Sequence, residues 1–392
     1  MQFPPVPKAD RPILVTAFEP SGDEHASILI EELLRRRPDL RIIGWGNRKM
    51  AAAGAEIVEK TGEHAVMGIP GPKVIREHIA LNKRIGAWIE TNRPALHIPV
   101  DSPAANFPVC KHAKARGVRV VHLVAPQLWA WGHWRVRKLR RLTDHVMCVL
   151  PFEEEWFRAH AVPATFVGHP LWSRPIDDLA IDAKLVEFGE ALPGAAVRIG
   201  VFPGSRPSEA EKNFPIMLAA LREISAKRAH VGAICAATTD DMLARLRRIA
   251  SEHNGWPANL HPVVHEPDAV IRWSDVALTV SGTNSLRITK HRTPMVIMFR
   301  AGAIQWNLLG RWLLKSPFLS LPNLVAGERI VPELMPLLRD DPAPVVREVT
   351  RLLDDRAAWE RQRDSLDRVA TRFESANAAE RAADVVLSFL EG

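Results

Sequence analysis

The chain has 392 residues, 47% of them apolar and 25% charged, with a net charge of +7 at neutral pH. At roughly 150 residues per domain the length predicts two or three domains, and the composition excludes a disordered, collagenous or small disulfide-framed protein. Mild positive charge favours an anionic partner, while three scattered cysteines, Cys110, Cys148 and Cys235, with no CxxC, fit a reducing compartment and argue against a zinc-thiolate site.

The N-terminal apolar run Ile13–Phe18 is too short for a signal-peptide core and ends at Glu19. No stretch reaches the roughly 18 apolar residues of a membrane-spanning helix. A cytoplasmic protein with at most peripheral membrane contact is expected. Short apolar runs then alternate with helical patterns. Strands are predicted at Ile13–Phe18, Arg41–Gly44, His97–Val100, Val118–Val124, His145–Val149, Thr165–Val167, Val197–Phe202, Val231–Ala236, Val276–Val280 and Pro294–Phe299. Helices are predicted at Ala26–Arg36, Pro108–Arg116, Arg135–Leu142 and Phe214–Lys227. This alternation predicts an α/β protein of two doubly wound, Rossmann-like domains. The proline-rich segment Pro170–Pro193 reads as a linker, and the chain turns helical after Pro342. The expected divisions are 1–175, 195–370 and a terminal helix, 371–392, opened by Asn377 and Glu380; packing back on the first domain is one option for it.

Doubly wound sheets bind ligands outside the carboxyl ends of their strands. Three predicted strand ends carry small polar turns. Glu19-Pro20-Ser21-Gly22-Asp23 follows the first strand, with Ser21 and Glu24 spaced as a capping box. Pro203-Gly204-Ser205-Arg206 precedes Ser208 and Glu211, spaced likewise. Ser281-Gly282-Thr283-Asn284-Ser285 is the third. Such turns present backbone N–H groups at a helix N-terminus, and Arg206 adds a guanidinium suited to phosphate oxygens. The same residues serve equally to cap helices, and both readings stand.

Other chemistries find little support. Gly44-Trp45-Gly46 has Lys49 where a dinucleotide fingerprint needs its third glycine, and neither a P-loop nor a GxSxG elbow occurs. His261 and His265 straddle Pro262 and read as loop residues. No metal-site signature is found. Between Gln127 and His145, Trp129, Trp131 and Trp134 precede Arg135, Arg137, Lys138, Arg140 and Arg141, with Val136, Leu139 and Leu142 at helical spacing. A basic amphipathic helix beside tryptophans suits an anionic membrane surface, or is an ordinary surface helix over core tryptophans. Nucleic acid is not expected as a partner, since no nucleic-acid motif accompanies the modest charge.

Taken in order, these stretches resemble the lipid-A-disaccharide synthase family of GT-B glycosyltransferases, from about Ile13 to Glu333. The matching residues are Glu19-Pro20-Ser21-Gly22-Asp23, Ala65-Val66-Met67-Gly68-Ile69, Asp101-Ser102-Pro103 with Asn106-Phe107, and Ala125-Pro126-Gln127-Leu128-Trp129-Ala130-Trp131. Leu150-Pro151-Phe152-Glu153, Gly168-His169-Pro170, Pro203-Gly204-Ser205-Arg206, Ser281-Gly282-Thr283, Pro294-Met295-Val296, Phe299-Arg300 and Ser320-Leu321-Pro322-Asn323-Leu324-Val325-Ala326-Gly327 continue the series.

The resemblance implies transfer of 2,3-diacylglucosamine from UDP to 2,3-diacylglucosamine 1-phosphate, with inversion, giving lipid A disaccharide 1-phosphate and UDP. It implies an acceptor- and membrane-side N-terminal domain and a UDP-sugar-binding C-terminal one. Asp101 occupies the family's catalytic-aspartate position and would act as base, its alternative being a turn-forming residue before Ser-Pro. Gly204, Ser205, Arg206, Ser281, Gly282, Thr283 and Asn284 would hold the nucleotide. Ser21, Gly22 and Asp23 would line the cleft from the acceptor side, Asp23 alternatively capping its helix. Trp129, Trp131, Arg135, Arg137, Lys138 and Arg141 would meet the cytoplasmic face of the inner membrane. No cofactor or metal is implied.

Four positions depart from the pattern. Arg287 replaces a glutamate expected at the nucleotide ribose, Ala104 an aspartate, Ala105 an aromatic residue and Phe18 a glycine. Arg287 and Ala104 support the alternative of a divergent non-catalytic protein, and another UDP-sugar-binding protein of the same fold, such as an epimerase, would share the phosphate turns.

Overall fold

The computed structural model describes residues 11–61, 72–130, 132–173, 175–302, 316–374 and 377–391. They divide between two units, one drawn from 1–174 and 375–392, the other from 175–374.

The first unit runs β1 (Ile13–Ala17), α1 (Pro20–Arg36), β2 (Ile42–Gly46), α2 (Arg48–Ala52), β3 (Glu56–Lys60), α3 (Pro72–Asn92), β4 (Leu96–Val100), α4 (Pro103–Ala115) and β5 (Arg119–Leu123). A 3₁₀ turn at His133–Arg135 leads into α5 (Val136–Leu142), then β6 (His145–Cys148), α6 (Glu153–Ala159), β7 (Ala164–Phe166) and α7 (Pro170–Ser173). The sheet is parallel in the order β3-β2-β1-β4-β5-β6-β7. Its central strands are buried on both faces, which their near-continuous apolar sequences require. Ile13, Val15 and Ala17 pack with Leu29, Ile30 and Leu33 of α1, while Leu14 packs with Ile85, Ile89 and Val109 on the other face. The C-terminal helix Ala378–Glu391 completes this unit. Ala382, Ala383 and Val386 enter the α1 core, Asp384 pairs with Arg36 at 2.6 Å, and the Phe389 carbonyl accepts from Arg119.

The second unit runs α8 (Asp178–Ala191), β8 (Val197–Phe202), α9 (Pro207–Lys227), β9 (Val231–Ala237), α10 (Asp240–Glu252), β10 (Leu260–Val264), α11 (Pro267–Trp273), β11 (Val276–Val280), α12 (Thr283–Lys290), β12 (Met295–Arg300) and β13 (Glu333–Leu337). Helices Leu321–Ala326, Ala343–Asp354 and Arg356–Glu374 accompany them. Its sheet, again parallel, has the order β10-β9-β8-β11-β12-β13. Ile199 and Val201 pack with Phe214 and Met217 on one face, and Phe202 packs with Ile234, Trp273 and Ile297 on the other.

Each sheet reverses its winding once, between β1 and β4 and between β8 and β11. The carboxyl ends at such a reversal open a crevice for a ligand.

The structure corrects several sequence expectations. Most of Pro170–Pro193 is not a linker but forms α7 and α8, the second started by the Asp177 side chain, which accepts from Ala180 N–H. Ser21 and Ser208 cap nothing. Both lie inside helices that start earlier, at Pro20 and Pro207, because proline supplies the helical φ and lacks only an N–H the first turn leaves unpaired anyway. Gly44-Trp45-Gly46 ends β2 itself, and the Met50 side chain fills the space over Gly46 that a Cβ would take. His261 lies inside β10, with His265 just beyond its end. Three strands escaped detection: β3, β10 and β13. All are sheet edges, where charged residues and proline are tolerated.

Candidate active site

The first reversal point is built around Asp101. It follows β4, its N–H donates to the Leu123 carbonyl of β5, and it has φ +46°. Ser102 follows at φ +39°. Two consecutive non-glycine residues in the left-handed region cost about 1 kcal/mol or more each, and such strain concentrates at functional sites. Side chains from three elements hold the turn. Asn106 of α4, wholly buried, donates through Nδ2 to the Val100 and Asp101 carbonyls at 3.0 and 2.8 Å. Its Oδ1 accepts from Thr16 Oγ1 of β1 at 2.7 Å, and Thr16 in turn contacts His97 Nε2 of β4 at 2.9 Å. Ser102 Oγ donates to Glu19 Oε1 at 2.6 Å, joining the turn after β4 to the turn after β1.

Two further groups near this turn are electrostatically perturbed. His122 of β5 is buried, and desolvation lowers its pKa to about 4. Glu153, at the start of α6, is 1% exposed. Burial pushes its carboxyl up to about 7, with the Asp101 charge adding to the rise. It accepts from Trp129 Nε1 at 2.9 Å and from the Val149 and Leu150 amides at 3.2 and 3.0 Å. No sequence reading singled out a role for Glu153. Its place in Leu150-Pro151-Phe152-Glu153, an acid directly after apolar residues, was the available signal.

The expected acceptor-side residues separate. Ser21 is exposed, and Gly22 is buried against Ala17 and Val100. Asp23 is committed elsewhere: its carboxylate accepts from the Asn47 and Lys49 amides at 2.6 and 3.0 Å, and from Met50 at 3.4 Å. It therefore caps α2, not its own helix, and is only 5% exposed.

The second reversal point is built from backbone. Gly204, after β8, has φ +109°, and a Cβ there would meet Glu209 Oε2 at 2.9 Å and Val280 at 3.2 Å. Both the dihedral and the space call for glycine. Ser205 and Arg206 follow, exposed, with Arg206 Nη1 2.9 Å from Glu209 Oε1. After β11, Gly282 has φ +150° and open space where a Cβ would point. Thr283 is exposed, Ser281 Oγ donates to the Leu319 carbonyl, and Asn284 Nδ2 lies 3.4 Å from Thr279 Oγ1. Neither α9 nor α12 has a side-chain cap, whereas Asp177 and Thr239 cap α8 and α10. Uncapped N–H groups, a positive dipole end and one arginine can bind phosphate.

Arg287, the charge-reversed position, is ion-paired with Asp268 at 2.8 Å, and Asp268 also accepts from His291 at 2.9 Å. The cation is thus met by a carboxylate of this chain. Asn323 of the Leu-Pro-Asn-Leu stretch ties that helix to the following loop, accepting from the Ile330 and Val331 amides and donating to the Val331 carbonyl. Glu333 holds the Leu319–Ser320 turn beside Ser281. Neither was anticipated as part of this end of the sheet.

The basic stretch also divides. Trp129 is buried, donating to Glu153, so it is a core tryptophan and does not face a membrane. Trp131 lies outside the described residues, as does Ala65–Ile69. Arg135 is half-buried. Val136 and Leu139 point inward, while Arg137, Lys138, Arg140 and Arg141 are exposed, Lys138 standing over the Phe107 ring at 5.1 Å. Trp134 is 68% exposed. An open groove of about 670 Å³ is lined by His133, Trp134, Val136, Arg137, Arg140 and His160. Among the described residues no helix is long and apolar enough to cross a membrane, and no cluster of side chains has the make-up of a metal site.

Comparison with known proteins bears on this arrangement. The family model described as lipid-A-disaccharide synthetase matches residues 13–386. The lipid-A-disaccharide synthase of Geobacter metallireducens is 35% identical over 388 residues, covering 96% of this chain and 97% of that protein. That of Myxococcus xanthus is 36% identical over 387 residues, with 96% and 97% covered. Among solved structures, the glycotransferase of kitacinnamycin superposes with a TM-score of 0.64 at 18% identity, covering 98% of this chain and 100% of that one. The UDP-GlcNAc 2-epimerase of Neisseria meningitidis bound to UDP-GlcNAc gives 0.62 at 12% identity, with 97% and 99% covered. These structures share the two-sheet fold. The chain belongs to the lipid-A-disaccharide synthetase family and is a glycosyltransferase of GT-B architecture.

Proposed function

We propose that the chain transfers 2,3-diacylglucosamine from its UDP conjugate to 2,3-diacylglucosamine 1-phosphate, with Asp101 as the base. The acceptor hydroxyl attacks the anomeric carbon and gives its proton to the Asp101 carboxylate. The bond from that carbon to the diphosphate breaks, its electron pair leaving with UDP. Attack opposite the leaving group inverts the centre. The new charge on UDP is met by the N-termini of α9 and α12 and by Arg206, a preorganised set of donors that stabilises the departing diphosphate without a resident metal. Ser205, Ser281, Thr283 and Asn284 add polar contacts to the nucleotide. The observation that carries this reading is the strained, multiply tethered turn at Asp101, at the winding reversal of its sheet.

The test is turnover followed by mass spectrometry, with both diacylated substrates in detergent and no added metal. Disaccharide formed by the wild type and lost from folded Asp101→Ala is the expected result. Equal turnover by both would remove Asp101 from the mechanism. No turnover by either would return the chain to a UDP-sugar-binding role.

We propose further that the protein meets the cytoplasmic face of the inner membrane through α5. Among the described residues no acid pairs with Arg137, Arg140 or Arg141, although most other surface arginines have one. Arg137 and Arg140 line one groove with Trp134 and Val136. Unpaired cations around an exposed tryptophan suit an anionic lipid surface, where an acylated substrate resides.

A further inference from the structure

We infer that Thr16 and Asn106 form a positioning relay that sets the Asp101 turn for proton transfer; this rests on the reading of Asp101 as base. Every proton in the relay can be placed. Asn106 Nδ2 faces two carbonyl oxygens, those of Val100 and Asp101, so its amide has one acceptable orientation, with Oδ1 toward Thr16. Thr16 has a single hydroxyl proton and gives it to that oxygen. Its contact with His97 is therefore a donation from His97 Nε2–H. His97 is wholly buried, and its Nδ1 has no hydrogen-bond partner, so the ring is neutral and locked in one tautomer. The relay runs one way: His97 to Thr16, Thr16 to Asn106, Asn106 to the Asp101 carbonyl.

Its function follows from the backbone. Asp101 and Ser102 occupy a conformation that side chains disfavour, and a strained turn persists only where its surroundings over-determine it. Ser102 is tied to Glu19 on one side, and the Asp101 carbonyl to Asn106 on the other. Without the Thr16 hydroxyl, Asn106 Oδ1 has no donor, and the amide no longer has a single preferred orientation. The turn then relaxes and moves the Asp101 carboxylate relative to the acceptor hydroxyl. A displacement of about 1 Å at a reacting group costs up to about 100-fold in rate.

Thr16→Val keeps the shape of the side chain and removes the hydroxyl; Thr16→Ser restores it. The expected result is a kcat roughly 10- to 100-fold lower in Thr16→Val, KM for both substrates within about 2-fold, and recovery to within about 3-fold in Thr16→Ser. Against the trace turnover that mass spectrometry detects in Asp101→Ala over long incubation, Thr16→Val has no further effect. Wild-type kcat in Thr16→Val, equal losses in Val and Ser variants, or an undiminished Val effect without Asp101 would each overturn the relay. Should Thr16→Val not fold, Asn106→Asp keeps the acceptor for Thr16 and removes the donor to Asp101, with the same expectations for kcat, KM and the Asp101→Ala background. If Asp101→Ala turns over like wild type, the base reading fails and the relay with it. If Asp101→Ala is dead while Thr16→Val and Asn106→Asp are unimpaired, the relay alone fails.

Discussion

The two winding reversals are built from different materials. At β1 and β4 the chain uses side chains: a buried His–Thr–Asn relay, a Ser–Glu tie and a turn in left-handed conformation that carries one carboxylate. At β8 and β11 it uses backbone: two glycines at positive φ and two helix N-termini without side-chain caps. Under the proposed mechanism, the difference follows from what each would hold. A proton acceptor works only within hydrogen-bond reach of one hydroxyl, so its direction must be set and then locked. A diphosphate presents many oxygens and spread charge, and several amide dipoles at a helix terminus match it without a unique contact. Precision is built from side-chain networks, and diffuse charge recognition from helix ends.

Substitutions can separate the two regions. Gly204→Val places a Cβ 2.9 Å from Glu209 Oε2 at a dihedral valine resists. UDP affinity measured by calorimetry should fall ~100-fold while kcat at saturating donor stays within ~3-fold. A fall in kcat at unchanged UDP affinity would merge the roles of the two regions. Arg137→Gln with Arg140→Gln should weaken binding to vesicles rich in anionic phospholipid ~30-fold at low salt, about 1 kcal/mol per arginine, and leave turnover of detergent-dispersed substrate unchanged. Equal binding to neutral vesicles by the wild type would dismiss the electrostatic role of α5. Arg206→Ala should cost ~10-fold in UDP affinity. That is the low end for a charge-assisted hydrogen bond, because the side chain is about half-exposed and already paired with Glu209.

A separate effect, on stability and not on affinity, concerns Glu153 near Asp101. The Glu153 carboxyl is raised from 4.5 to about 7 by burial, so the folded protein holds its proton where the unfolded chain has lost it. Stability from this group is full below pH 4.5 and is lost as pH rises through about 7. The unfolding free energy of the wild type, from denaturant titrations, should therefore fall between pH 5 and pH 8 by an amount on the order of 1–3 kcal/mol. Glu153→Gln, lower in stability throughout because an amide cannot accept all three donors, should show a flatter profile. Parallel profiles would place the Glu153 pKa outside that window.

Legibility in the sequence tracked burial. Strands with both faces covered, such as Ile13–Ala17 and Val276–Val280, announce themselves as apolar runs. The edge strands Glu56–Lys60, Leu260–Val264 and Glu333–Leu337 do not, since one side of an edge meets solvent and admits Glu, Lys or Pro. The site divides in the same way. The turns that carry Gly204, Gly282 and Asp101 were readable because a polar turn after an apolar run is a local signal. Asp23 as the cap of α2, and Trp129 as a core partner of Glu153, were not, because each role depends on a residue 24 positions or more away.

The sequence by itself determined the alternation of strand and helix, the turns at strand ends and the family resemblance, all carried by neighbours along the chain. Only the tertiary structure decided that those turns flank the two winding reversals, that α7 and α8 replace a linker, and that Arg287 meets Asp268. It alone joined Thr16 to residues 81 and 90 positions away. The physical reason is that apolar periodicity is a local property of the chain, whereas a buried polar group is satisfied by whatever the folded topology brings within 3 Å.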